Sequence, residues 1–122
     1  MSKEFGKNII ELKSFSFGVR IVKLYKFLIK KDRYLEPIFK QLLKSGTSIG
    51  ANVSESQSAY SKKDFINKLG IALKEAKETE YWLRLLKECA ILSIKEFDSL
   101  YKDCIELLKI MTSIIKSSKL KP

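Results

Sequence analysis

Apolar residues recur at alternating steps of four and three almost without interruption from Phe17 to Ile115, the spacing that places them on one face of an α-helix. Phe17, Ile21, Leu24 and Leu28 open the series, with Val22, Tyr25 and Ile29 beside them, and predict a broad inward stripe on a helix over about residues 16–31. The run KKDRYLEP then breaks the pattern, and Pro37 suits the first turn of a second helix over about 36–58, with Ile38, Leu42, Ile49 and Val53 on its apolar side. Ser61 followed by Asp64 resembles a capping box and starts a third helix over about 62–90. Phe65, Leu69, Ala72, Ala76, Thr79, Leu83, Leu86 and Ala90 keep the four-three spacing along it. Ser93 with Glu96 makes a full S-x-x-E box for a fourth helix over about 94–117, whose core positions are Phe97, Leu100, Cys104, Leu107, Met111 and Ile114. Helices joined this closely predict an all-α fold, an antiparallel up-and-down four-helix bundle over residues 14–118. Residues 1–13 are expected to be loosely ordered and 119–122 to fray.

The second helix departs from a simple amphipathic pattern. Gln41, Ser45, Ser48, Asn52 and Glu55 form a polar line down a helix that also carries apolar residues. Gly46 and Gly50, one turn apart, offer a flat place for another backbone to approach. With this much Ser, Thr, Gly and Asn the segment has low intrinsic helix propensity, so packing must hold it. The polar line reads as a structural seam that fixes register inside the bundle or between subunits.

Composition narrows the chemistry. With 45% hydrophobic and 31% charged residues among 122, the chain is too apolar for disorder and suits one domain. No run approaches the roughly 18 apolar residues of a membrane span, and the N-terminus lacks a signal core, so a cytoplasmic protein with no membrane partner is expected. There is no His, which removes the commonest general base and metal ligand, and two Cys cannot build a four-thiolate zinc site. Cys89 and Cys104 lie in apolar helical stretches and read as small buried hydrophobes. Glycine-rich phosphate loops, calcium loops and nucleophile elbows are all missing. Glu55 and Glu78 are the remaining carboxylate candidates for acid-base or metal chemistry, and they fit a structural role better. No enzyme, cofactor or metal is expected.

Charge points outward instead. The chain carries 24 Lys and Arg against 14 Asp and Glu, a net +10, of which +6 falls within residues 1–31. Lys95, Lys102, Lys109 and Lys116 recur every seven residues, opposite the apolar seam of the fourth helix. Lys13, Arg20, Lys23, Lys26 and Lys30 make a second basic stripe on the first helix. One such stripe is equally a solvated face; two of them favour a polyanion, bound with steep salt dependence and little sequence preference. Arg20, Lys23, Lys26, Lys30, Lys102, Lys109 and Lys116 are the candidate phosphate contacts, and Tyr34, Tyr60 and Tyr81 the candidates for base stacking.

The stretch SIGANVSES, then S-x-x-D-F-x-x-x-L, then ALKEAKETEYWLRLL resembles the bacterial four-helix-bundle family encoded within intervening sequences of large-subunit ribosomal RNA genes. Ser48, Ile49, Asn52 and Glu55 match the first block of the family pattern, Phe65 and Leu69 the second, and Ala72, Glu78 and Leu83 the third. Ser56 stands where the family usually has glycine, Lys74 and Glu75 replace a Gly-Ser pair, and Lys44 takes the place of an arginine. The resemblance implies a homo-oligomer, a homopentameric ring of four-helix subunits, and supplies no catalytic residues. The related accessory protein of diversity-generating retroelements forms such a barrel and binds nucleic acid together with a reverse transcriptase, which implies a nucleic-acid partner here, with RNA favoured. The competing expectation is a structural or adaptor protein whose partner is another protein and whose charge serves solubility.

Overall fold

The computed structural model describes the backbone of residues 2–121 and the side chains of residues 9–121. Four helices follow one another: α1 (Ser2–Lys31), α2 (Glu36–Ser56), α3 (Lys62–Glu88) and α4 (Ile94–Leu120), with a short 3₁₀ turn at Arg33–Leu35 between the first two. Each helix packs on two neighbours in chain order, and α4 closes back onto α1, the least extensive of these contacts. The architecture is an all-α, antiparallel up-and-down four-helix bundle. Among the described residues there is no strand, and no helix is long and apolar enough to cross a membrane.

The punctuation follows the sequence closely. The Asp32 side chain accepts from the Tyr34 amide (3.0 Å) and starts the 3₁₀ turn, and Pro37 lies in the first turn of α2. The Tyr25 hydroxyl donates to Glu36 (2.8 Å), pinning the start of α2 to the side of α1. Ser61 caps α3 by accepting from the Asp64 amide (3.0 Å). At α4 the capping box is complete: Ser93 Oγ accepts from the Glu96 amide (3.1 Å) and Glu96 accepts from the Ser93 amide (3.0 Å). The Ser93 amide that donates to it, and then the Ser93 hydroxyl beside it, hold the Glu96 carboxyl below the usual carboxylate range.

The first helix begins much earlier than its apolar pattern suggests. It runs from Ser2 rather than from about residue 16, so the segment expected to be loosely ordered continues α1. Ile10 is fully buried and Ser14 nearly so. Ser14 interrupts the apolar series, yet it sits on the core seam between Ile10 and Phe17 because α2 comes too close there for anything large. A Cβ on Gly50 would lie 3.2 Å from the Ser14 carbonyl oxygen, and one on Gly46 would lie 2.8 Å from Ile21. Gly46 and Gly50 do accept a neighbouring helix at close range, and that neighbour is α1. The last helix runs to Leu120, beyond the expected end near 117; Met1, and Pro122 of the tail, lie outside the described residues.

The core assembles from Phe17, Ile21 and Leu28 of α1, Leu42, Ile49 and Val53 of α2, Leu69, Ala72, Ala76 and Leu83 of α3, and Cys104, Leu107 and Met111 of α4. Burying each large aliphatic side chain contributes about 1.5–3 kcal/mol relative to leaving it exposed. Four positions differ from the sequence reading. Phe39 rather than Ile38 is fully buried at the start of α2, and Val22 is 43% exposed instead of flanking the core. α3 ends at Glu88, so Ala90 leaves the seam and is exposed in the connection, and Cys89, the C-cap, is exposed as well. Cys104 is buried as expected; its thiol donates to the Ala76 carbonyl (3.3 Å), and burial pushes it up to about 12.

Candidate nucleic-acid interface

On α4 the residues facing the core are Cys104, Leu107, Met111 and Ile114, which turns Lys102, Lys109 and Lys116 to the opposite side. All three are exposed, as is Lys95 one repeat earlier. Seven residues advance a helix by about 10 Å, so the row places one ammonium at each such interval along an edge of the bundle. Among the described residues none of these four lysines makes an ion pair. The row is therefore a line of free positive charge on a rigid rod.

The basic stripe of α1 divides into two parts. Lys23, Lys26 and Lys30 are exposed and unpaired. Arg20 is engaged: its Nη1 lies 2.6 Å from Asp103 Oδ2 and its Nη2 donates to Ser99 Oγ at 2.9 Å. Lys13 pairs with Glu106 at 3.1 Å. Both pairs run from α1 to α4 and reinforce the least extensive of the contacts between neighbouring helices. They also fill the seam between the two basic stripes, so the stripes remain separate edges and Arg20 is a structural clip rather than a free phosphate ligand. The acidic partners lie over eighty residues away in sequence, and nothing local to Arg20 marks it for pairing.

The aromatic candidates are exposed but do not share a platform. Tyr34 belongs to the 3₁₀ turn at one end of α2 and Tyr60 to the connection at the other end, about 30 Å away at the rise of an α-helix. Tyr81 lies on the outer side of α3 with its ring edge-on to Trp82, centroids 5.0 Å apart.

The polar line of α2 splits by depth. Ser45 is buried against α3, where the Thr79 hydroxyl shares its proton between Ser45 Oγ (2.9 Å) and the Glu75 carbonyl (2.8 Å), and Ser45 donates to the Leu42 carbonyl (3.3 Å). Ser48 and Asn52 are half-buried, with Asn52 donating back to the Ser48 carbonyl at 2.8 Å. Gln41 and Glu55 are exposed, and Glu55 pairs with Lys68 of α3 at 3.1 Å. Glu78 is exposed and accepts from Trp82 Nε1 at 3.2 Å. The partner of Glu55 and Glu78 itself are ten residues apart on α3, roughly 15 Å, so the two carboxylates do not form an acid-base pair. Among the described residues no group of three or more acidic or Cys side chains is placed to hold a metal ion.

One surface was not singled out by the sequence reading. Leu12, Phe15, Val19 and Val22 form a second apolar stripe on α1, facing away from the core, with Leu12 71% and Phe15 73% exposed. Their steps of three, four and three match those of the core stripe, and that periodicity is the signal that could have found them.

The sequence pattern of a protein family described as 23S rRNA-intervening sequence protein matches residues 6–113. Among solved structures, the chain is similar to the crystal structure of a protein of unknown function from the S23 ribosomal protein family of Bacteroides thetaiotaomicron. The two are 50% identical with a TM-score of 0.85, over 91% of this chain and 98% of that one. No curated protein matches the chain.

Proposed function

We propose that this chain, which belongs to the 23S rRNA-intervening sequence protein family, is a non-enzymatic, self-assembling four-helix bundle that binds nucleic acid, structured RNA above all, through its lysine-rich edges. The observation that carries the reading is the α4 row of Lys102, Lys109 and Lys116, exposed, unpaired and evenly spaced. Cations fixed on a rod release condensed counterions from a polyanion without ordering flexible segments first, and they read backbone charge rather than bases. Lys23, Lys26 and Lys30 add a second edge of the same kind, in a cytoplasmic setting. The family's description, which refers to an intervening sequence of 23S rRNA, directs the choice of ligand toward RNA.

Anisotropy titrations against a structured RNA, a DNA duplex and a single strand test this, each at about 50 and about 200 mM salt, a range over which phosphate-driven binding falls steeply. Wild-type chain is expected to bind the structured RNA most tightly. Replacing Lys102, Lys109 and Lys116 by Gln is expected to leave the helical content unchanged and to flatten the log K against log salt slope by about 2–3, near one unit per lost phosphate contact. Unchanged affinity in that variant removes the α4 row from the interface, and no binding at low salt removes the nucleic-acid reading altogether. The second reading, an adaptor whose partner is a protein, is favoured by the outward apolar stripe of α1. Co-purification with a defined protein partner and no retained RNA would select it.

A further inference from the structure

Between the end of α3 and the start of α4 the bundle holds a recess of about 540 Å³, within the range of small-ligand sites. Its floor is aromatic and fixed. Phe97 and Tyr101, one turn apart on α4, stack with ring centroids 4.9 Å apart, and the Tyr101 hydroxyl donates to Glu80 of α3 at 2.9 Å. Tyr81 lines the recess from α3 and is 56% exposed. Two cations share the space. The Lys87 ammonium lies 4.7 Å from the centre of the Phe97 ring, and Arg84 lines the recess one turn before it. Among the described residues neither makes an ion pair, so their N–H groups are held in place without a carboxylate to receive them. Glu88 is the one carboxylate in the lining.

The recess adjoins the cations already assigned to phosphate contacts. Tyr101 directly precedes Lys102 of the α4 row, and on α3 the exposed Lys77 and Arg84 repeat the row's seven-residue spacing, about 10 Å of helix. A simple anion needs only cations and an apolar ligand only the rings. Here fixed rings, two unpaired cations and a carboxylate acceptor occur together. A nucleotide answers all three: its base has a face for the aromatic floor, its phosphate suits Arg84 and Lys87, and its base edge carries N–H groups for Glu88. Inside a duplex the faces of a base are covered by its neighbours, so the nucleotide that enters is an unpaired one.

We infer that this recess receives one unpaired nucleotide of a bound RNA, its base against the Tyr81, Phe97 and Tyr101 rings and its phosphate on Arg84 and Lys87, while the α4 row holds the flanking backbone. The inference rests on the nucleic-acid part of the preceding reading and adds what a lysine row lacks, a preference for an unpaired position over a fully paired one. Charge alone gives the opposite order, because a duplex carries its phosphates more densely than a single strand.

Anisotropy titrations test the proposal with two RNA hairpins of equal phosphate number, one blunt and one with a short single-stranded extension that carries 5-iodouridine for photocrosslinking. Wild-type chain is expected to bind the extended hairpin about tenfold more tightly, the scale of one stacked base, and irradiation to link the iodouridine to Tyr81 or Tyr101. Arg84→Gln/Lys87→Gln, checked for wild-type helicity by circular dichroism, is expected to lose the preference while still binding the blunt hairpin. Arg84→Gln alone, at an exposed site, is expected to lose part of it, so the test does not depend on how the double variant folds. The Lys102→Gln/Lys109→Gln/Lys116→Gln variant is expected to weaken both hairpins and keep the preference. Equal binding of the two hairpins by wild type, or cross-links confined to residues outside the recess, overturns the nucleotide site and leaves the nucleic-acid reading standing. Binding of neither hairpin overturns both, and a titration with AMP that then saturates would give the recess to a free nucleotide instead.

Discussion

Ala90 is the one non-glycine residue with a positive φ, 58°, among the described residues. It follows Cys89 at the end of α3, where the Ile91 amide donates to the Leu86 carbonyl (2.9 Å) and the Ala90 amide to the Lys87 carbonyl (3.0 Å). That is the paired hydrogen bonding of a Schellman ending, whose left-handed position ordinarily holds glycine. A side chain there crowds the following carbonyl at a cost of about 1–2 kcal/mol, and Ala90 is exposed, so its methyl gains nothing from packing. Ala90→Gly is therefore expected to raise the unfolding free energy by about 1 kcal/mol, less what the glycine adds to the entropy of the unfolded chain. Urea unfolding followed by circular dichroism checks it, and a variant less stable than wild type would contradict the account of the turn. Ala90 also explains a misreading: it continues the four-three spacing of α3 faithfully, but a helix stops where its hydrogen bonds stop, and periodicity alone does not contain that stop.

Between helices, packing is decided as much by what is missing as by what is present. A Cβ on Gly46 would come within 2.8 Å and 2.9 Å of the two γ-carbons of Ile21, which is fully buried and branched at Cβ, so neither partner has a free direction in which to yield. Gly46→Ala is expected to cost about 1–3 kcal/mol by forcing α1 and α2 apart, even though alanine is the better helix former. Gly70 makes the matched control, because a Cβ there meets nothing within 4 Å. Gly70→Ala is expected to stabilise by about 0.5–1 kcal/mol through helix propensity alone. Opposite signs in the same denaturant titration would identify close approach as the cause; two stabilised variants would remove it. At this scale much was legible in the sequence. The four helices, the Ser61 and Ser93 caps, the core of α3 and α4 and the closeness implied by Gly46 and Gly50 all follow from local pattern. The start of α1 does not, because Ser14 is chosen for its small size at a crossing with Gly50, and that crossing exists only after the chain has folded.

Over the whole molecule the charge separates into roles that a count of +10 does not contain. Lys13 and Arg20 clip α1 to α4, Lys68 pairs with Glu55, and the α4 row stays free. The exposed row was legible because a seven-residue lysine repeat opposite a core seam has only solvent to face. The engagement of Arg20 was not, since it depends on Asp103 arriving from the far end of the chain. In a self-assembled protein the α4 row is repeated on every copy. A long polyanion then meets several rows at once, and each row after the first binds at a raised effective concentration, whereas a short oligonucleotide engages a single row. Wild-type chain is accordingly expected to prefer a long RNA over a short one by about 10²-fold or more, with a steeper salt slope on the long ligand. The Lys102→Gln/Lys109→Gln/Lys116→Gln variant, which leaves the α1 edge in place, is expected to lose most of that preference and to flatten the salt slope on the long ligand. Anisotropy titrations of both proteins against both lengths check it: a variant that keeps the length preference would show that α4 rows on separate copies do not act together on one ligand.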